Sequence, residues 1–413
     1  MKHVSNNFFW TLVFFTSTVG VCMVTIIPWH SAKAGLSAHA QTPDIQGQAQ
    51  IDEYKRSEIE KIFDRAYDEK RFNGQVLYAE NGQILLQKTY GFADLQKKTK
   101  MDNSWRFQLS STSKPFTATA ILKLYEEQKI DIDKPVKHYL PDFPFSDAIT
   151  VKHLLQHRSG LPDYIHLADK NWDKKTTFTN RDLSPLFKKV QAKVKFAAGA
   201  KFDYCNTNYA YLALLVEKYS GFTFAYYLKT KIFDPLGMTR TFVYNHAKGR
   251  PAETVKGYSY SRRRGYYERP VEFLDGTVGD KGIYSTAEDL FRFDQALLSD
   301  DFLSEKSRSL MLTPAEPLCE THDNDYGLGF RIKRDTVCGD VRVFHNGWWN
   351  GFRSYYVHSP KNEKTLIWLN NRSDVTLASL VDSILIFSDS LDHPEKYHLN
   401  EERFGDNFDN HQQ

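Results

Sequence analysis

Ser111 and Lys114 stand three residues apart in the stretch SSTSKP, residues 110–115. On a helix that spacing puts both side chains on one face, one turn apart. A lysine held beside a serine and partly removed from water can act as its general base, so the pair could supply an acyl-transfer nucleophile. Pro115 is tolerated in the first turn of a helix but not in its interior, which places the helix start just before it and the hydroxyl cluster at its N-terminus. The positive end of the helix favours negative charge developing on an attacked carbonyl. Ser-x-x-Lys occurs once in the 413-residue chain, and neither Ser110 nor Ser113 has a lysine three residues on. Ser110 and Thr112 are expected to cap or pack, and Ser113 to face away.

Two distant triplets have matching chemistry. Tyr204-Cys205-Asn206 is the only Tyr-x-Asn in the chain. A phenol can share proton transfer with a lysine, and a carboxamide can orient a substrate amide; alone, the triplet also reads as a buried tyrosine and an Asn cap before a helix. His345-Asn346-Gly347 ends a candidate strand. Gly347 would let a substrate backbone approach closely, and His345 could bind or protonate a substrate group near neutral pH; alone, it reads as a turn with a surface histidine.

The elements that must position these residues follow from pattern and punctuation. Residues 51–70 have helical spacing (Ile51, Tyr54, Ile59, Ile62, Phe63, Ala66). Two apolar runs then meet at Asn81-Gly82, a hairpin signal. From Lys114 to about Tyr219 the chain reads as mainly helical, with Phe116, Ala120, Ile121 and Leu124 on one face. "NTNYAYLALLVEKYSG" predicts a helix stopped at Gly221. "GLGFRIKR", "VRVFHNG", "FRSYYVHS" and "KTLIWLNN" predict strands, and "TLASLVDSILIFSDSL" a last helix. The ends supply sheet and the middle supplies helix, which predicts an α+β architecture with a cleft where the two meet.

In this order the three motifs resemble the serine β-lactamase and penicillin-binding protein superfamily, in its class C branch with D-alanyl-D-alanine carboxypeptidases, D-aminopeptidases and esterases. "VKHLLQHRSGLPDY", "FDPLGMTRT", "GIYSTAEDLFRF" and "YGLGF" look like further landmarks, so the resemblance runs from about Ile51 to Leu391. It implies an antiparallel sheet flanked by helices with a mostly helical second region. It further implies Ser111 as nucleophile, Lys114 as its base and Tyr204 as proton relay. Asn206, His345, Gly347 and Trp348 would line the substrate site, with backbone N–H groups of Ser111 and Trp348 as an oxyanion hole. No cofactor and no metal are implied. The expected function is a serine hydrolase forming an acyl-enzyme with D-amino-acid peptides or β-lactam-like substrates; the alternatives are a penicillin-binding sensor that does not turn over, or an esterase or acyltransferase. The expected partner is a small-molecule or peptide substrate, including peptidoglycan-derived material. His345 replaces the lysine of many relatives, which lowers the expectation of efficient β-lactamase activity. Trp348 and Trp349 are bulky where small residues are common, and would narrow the acyl site or wall it.

The remaining features read more plainly. His153 and His157 are four apart, yet their segment matches a family landmark and is not expected to bind metal. Ser285 or Thr286 is expected to cap a helix. Asp280 and Lys281 could reach the cleft but are not placed in the site. Arg262, Arg263 and Arg264 form the one dense basic run, expected as an exposed loop that could rim the cleft. A formal charge of +3, with 41% hydrophobic and 25% charged residues, gives no reason to expect nucleic acid. Residues 8–28 carry no charge and are followed by Ala-x-Ala sites. Residues 1–40 are therefore expected to be a cleaved export signal or an uncleaved membrane anchor, with periplasm or cell envelope as destination. Residues 41–50 are expected as linker, 51–392 as the hydrolase domain and 393–413 as a polar tail. Cys319 and Cys338 could pair in an oxidising compartment or stay as free thiols.

Overall fold

A computed structural model describes residues 45–317, 324–334, 341–360, 363–374 and 377–393. The expected signal or anchor, the start of the linker, Cys319, Cys338 and the tail beyond His393 lie outside the described residues. Helix α1 (Ile45–Asp68) starts within the expected linker, so residues 45–50 are helix. Gln46, Gln48, Ala49 and Gln50 are adequate helix formers and no proline interrupts them.

Strands β1 (Gly74–Glu80) and β2 (Gln83–Thr89) follow. Their two-residue loop has Asn81 at φ 48° and Gly82 at φ 74°. Both angles are positive, as a tight hairpin turn requires, and Asn and Gly adopt them cheaply. The other sheet strands come late: β3 (Asn324–Tyr326), β4 (Arg331–Arg334), β5 (Val341–Trp349), β6 (Phe352–Ser359) and β7 (Lys364–Asn370). Together they form one antiparallel sheet of seven strands in the order β3-β4-β5-β6-β7-β1-β2. The first hairpin thus pairs with the last strand, and the intervening chain is inserted between the two ends.

Strand β1 is buried along its whole length. Alternation divides it: Leu77 and Ala79 join the core on one face, Val76 and Tyr78 the core on the other. The second face is covered by α1 and the last helix through Ile59, Phe63, Val381, Ile384 and Leu385. The first face carries the helical region. Its centre is α2 (Lys114–Glu126), which packs on α4 (Asn206–Ser220). Between them in sequence lies α3 (Tyr164–Asn171). Helix α4 ends at Gly221, left-handed at φ 76°, as its sequence predicts. The last helix is α5 (Ala378–Asp392). The fold is α+β, with the start of α2 at the junction of sheet and helical region.

Candidate active site

A short 3-10 turn, Ser110–Ser113, runs directly into α2. Ser110 is left-handed at φ 53°, a conformation costing a non-glycine residue about 1–3 kcal/mol, so the surroundings must impose it. They do so from two sides. Ser354 Oγ of β6 donates to the Leu109 carbonyl at 2.6 Å and meets Thr112 Oγ1 at 2.9 Å. Ser113 Oγ accepts from the Ile283 amide at 3.2 Å. No side chain of the cluster caps α2, so of the expected capping or packing, Ser110 and Thr112 pack. Ser110, Thr112 and Ser113 are buried; Ser111 alone is partly exposed.

Gly347 supports this turn from β5. A Cβ there would lie 2.2 Å from the Leu109 carbonyl oxygen, 2.3 Å from Ser354 Oγ and 3.0 Å from Ser110 Cβ. A close backbone approach is present at Gly347, and on the side a Cβ would occupy the approaching group is the protein's own Leu109–Ser110 segment. Gly347→Ala is expected to destabilise by about 1–3 kcal/mol, because the Leu109 carbonyl and Ser110 Cβ cannot yield without moving the backbone; a thermal unfolding midpoint within about 1 °C of wild type, roughly 0.3–0.5 kcal/mol at most, would contradict this.

Lys114 is fully buried, and its Nζ reaches three acceptors: Ser111 Oγ at 3.2 Å, Asn206 Oδ1 at 2.9 Å and the Asp280 carbonyl at 2.8 Å. The Asp280 carbonyl is aimed by a loop between Gly279 (φ 96°) and Gly282 (φ 98°). A Cβ at Gly279 would strike the Tyr209 carbonyl at 2.4 Å, and Thr117 Oγ1 ties the Gly279 carbonyl to α2 at 2.7 Å. A neutral amine has two N–H bonds and one lone pair. In that form, with Asn206 and Asp280 taking the two N–H bonds, the lone pair would face Ser111 Oγ, which the ammonium form instead reaches with its third N–H. The arrangement can therefore serve proton transfer between Ser111 Oγ and Lys114 Nζ.

Tyr204 lies with its ring face 4.8 Å from Lys114 Nζ on one side and 5.0 Å from the Arg331 guanidinium carbon. Behind it stand His157, with ring centroids 4.3 Å apart, and His345 at 6.2 Å. His345 is fully buried. Its Nδ1 lies 2.8 Å from the Asn346 carbonyl and must carry the proton, so Nε2 accepts from Tyr326 Oη at 3.0 Å. Burial, reinforced by Arg331 and Lys114, holds its pKa well below the usual histidine value. The expectation that His345 protonates substrate near neutral pH is therefore corrected: its ring is neutral and both nitrogens are engaged within the protein. His157 is likewise buried and depressed, first by burial and then by Lys114 and Arg331. Its Nδ1 accepts from the Cys205 amide at 3.1 Å, and His153 Nδ1 accepts from the Thr150 amide at 3.2 Å, so both rings serve the backbone. The Cys205 thiol points away, onto the Leu161 carbonyl at 3.3 Å, and burial pushes it up to about 12.

Trp348, 64% exposed, forms an open aromatic surface beside the turn, with the Arg353 guanidinium 5.8 Å from its ring centroid. Trp349 turns inward, donating to Asp275 at 2.6 Å and covering Lys281 at 4.8 Å. Lys281 is buried against Asp280 and Tyr164. Thr286, as expected, caps a helix through the Asp289 amide. Arg262, Arg263 and Arg264 form the exposed tip of a hairpin (Tyr258–Ser261 with Gly265–Glu268). That hairpin docks on the β5–β6 turn, where the Tyr258 amide donates to the Gly351 carbonyl at 3.2 Å.

Sequence reading left three participants unplaced: Asp163, Arg331 and the Asp280 carbonyl. Asp163 lies inside the landmark "SGLPDY" and Arg331 inside the strand "GLGFRIKR". The two glycines around Asp280-Lys281 were the available signal for a loop that must approach another backbone closely.

Comparison with known proteins bears on the family and the fold. The family model described as Beta-lactamase matches residues 59–387. Penicillin-binding protein 4* of Bacillus subtilis is 36% identical over 332 residues, 78% of this chain and 73% of that protein. The crystal structure of a penicillin binding protein from Bacillus halodurans superposes with a TM-score of 0.70 at 27% identity, covering 78% of this chain and 98% of that one. D-amino acid amidase from Ochrobactrum anthropi SV3 has a TM-score of 0.66 at 20% identity, covering 85% and 99%, a likeness of fold alone. With its match spanning most of the chain, this protein belongs to the beta-lactamase family of serine hydrolases and penicillin-binding proteins.

Proposed function

We propose that the chain is an exported serine hydrolase that forms an acyl-enzyme on Ser111, with D-amino-acid peptides ending in a free carboxylate as its substrate class. One observation carries this reading: Lys114 is buried with two fixed acceptors and its third direction on Ser111 Oγ, the one partly exposed hydroxyl of the cluster. Lys114 Nζ takes the Ser111 proton as Oγ bonds to the substrate carbonyl carbon. The proton passes to the leaving amine with the help of Tyr204, and the C–N bond breaks. Water then adds to the ester carbonyl carbon, the C–Oγ bond breaks to release the acyl group as its carboxylic acid, and Ser111 Oγ recovers a proton from that water. Export rests on the charge-free run 8–28 and its small-residue sites.

The carboxylate preference rests on Arg331. With His345 neutral, the candidate cation is this guanidinium beside Tyr204: the residue is partly exposed, and its Nε is buried without a hydrogen-bond partner among the described residues. A guanidinium keeps its charge and matches a carboxylate with two N–H bonds. Arg331→Gln is expected to raise KM about 10- to 100-fold for a peptide ending in D-alanyl-D-alanine, the value of one charged hydrogen bond. The same peptide closed as its C-terminal amide should feel the substitution little. Equal effects on both peptides would remove Arg331 from the carboxylate site. Persistence of an acyl label over hours in the wild type would favour a penicillin-binding sensor over a hydrolase.

A further inference from the structure

Asn206 has two distinguishable ends, and its role depends on which faces Lys114. Only the carbonyl oxygen can accept from the Lys114 ammonium or amine; the NH2 group would oppose donor to donor. Asp163 decides between them. Its Oδ2 accepts from Asn206 Nδ2 at 3.0 Å and from the Asn206 backbone amide at 3.1 Å. Its Oδ1 accepts from the Ile165 amide at 2.9 Å and so caps α3. A carboxylate oxygen facing an amide attracts its N–H end and repels its oxygen, so Nδ2 is held toward Asp163 and Oδ1 toward Lys114. A second latch fixes the distance between the two helix starts: Thr207 Oγ1 donates to the Pro162 carbonyl at 2.7 Å and accepts from the Tyr164 amide at 2.8 Å.

We propose that Asp163 is a positioning residue for acyl transfer: it sets the polarity of the Asn206 carboxamide, which in turn directs the Lys114 lone pair at Ser111. The proposal rests on the reading that Lys114 takes the Ser111 proton. Among the described residues Asp163 has no hydrogen bond to Lys114 or Ser111, and Asn206 is the residue that links it to Lys114. In Asp163→Asn the single carbonyl oxygen can keep the cap on α3, since asparagine caps as well as aspartate, and the NH2 then stands opposite Asn206 where Oδ2 stood. What is lost is the acceptor-only partner: two facing carboxamides can pair in either polarity, and one of these turns NH2 groups on Lys114.

The test is a double-mutant cycle read by covalent labelling with a fluorophosphonate, using the limiting labelling rate and the half-saturating concentration separately. Asp163→Asn is expected to lower the limiting rate about 10- to 100-fold, as a misdirected base does. The half-saturating concentration should stay within about threefold of wild type, because a fluorophosphonate carries no acyl-amide group at its reacting centre for Asn206 to orient. In an Asn206→Ala background the same substitution should cost about nothing further, the signature of one residue acting through the other. Thermal unfolding of each variant runs alongside. Wild-type labelling rates in Asp163→Asn would overturn the proposal. So would a loss that recurs in full in the Asn206→Ala background, or failure of Asp163→Asn to fold where Asn206→Ala folds. Absence of Ser111-dependent labelling in the wild type would overturn the proposed reaction and the role of Asp163 with it; Ser111-dependent labelling with any of the preceding outcomes overturns Asp163 alone.

Discussion

Ser111→Ala is expected to lower turnover of a D-alanyl-D-alanine peptide by about 10⁴- to 10⁶-fold while leaving the fold nearly untouched. The size of the loss follows from covalent chemistry: without Oγ there is no acyl-enzyme, and the neighbouring hydroxyls cannot replace it. Ser110 and Ser113 are buried, Ser113 Oγ is occupied by the Ile283 amide, and neither has hydrogen-bond contact with Lys114. The small structural effect follows from partial exposure and a single 3.2 Å bond to Lys114; stability should change by about 0.5 kcal/mol or less. Steady-state hydrolysis with a parallel unfolding curve checks both halves. Activity within tenfold of wild type, a difference of about 1.4 kcal/mol in barrier, would remove Ser111 from the reaction.

Lys114→Met is expected to lower kcat/KM by about 10²- to 10⁴-fold, the range for loss of a general base. Lys114→Arg should be as poor, although it keeps the charge. A guanidinium has no lone pair to offer at working pH, and its planar fork does not fit the single point where Ser111, Asn206 and Asp280 converge. The pair of variants therefore separates a proton acceptor from a structural cation. Lys114→Met also leaves Asn206 Oδ1 and the Asp280 carbonyl without this donor, and should cost about 1–3 kcal/mol of stability. Activity recovered in Lys114→Arg would make the residue's charge, and not its lone pair, the functional property.

Much of the fold was legible because its signals are local. Asn81-Gly82 carries its turn angles in two residues, Gly221 stops α4 alone, and the β-branched runs around Val341, Phe352 and Lys364 become strands as their composition predicts. Within the candidate site, the meeting of Ser111 and Lys114 was legible because it is local, one turn of helix. The roles that escaped are made by tertiary contact. Asp163 acts on a residue 43 positions away, and Arg331 reaches Tyr204 from another part of the chain; no periodicity or spacing records either meeting. His345 and Gly347 show a second limit. Their spacing was visible, but whether a histidine faces solvent, or which backbone a glycine admits, depends on what packs against them. Here that is Tyr326 and the Leu109–Ser110 turn.

The most direct test is the site of the covalent bond. The wild-type protein, treated briefly with a fluorescent penicillin, quenched in acid and digested, should yield one labelled peptide, with the adduct mass on Ser111. The same treatment of Ser111→Ala should yield none. An adduct on Ser110, Ser113 or any residue outside the turn, or labelling that survives in Ser111→Ala, would contradict the account.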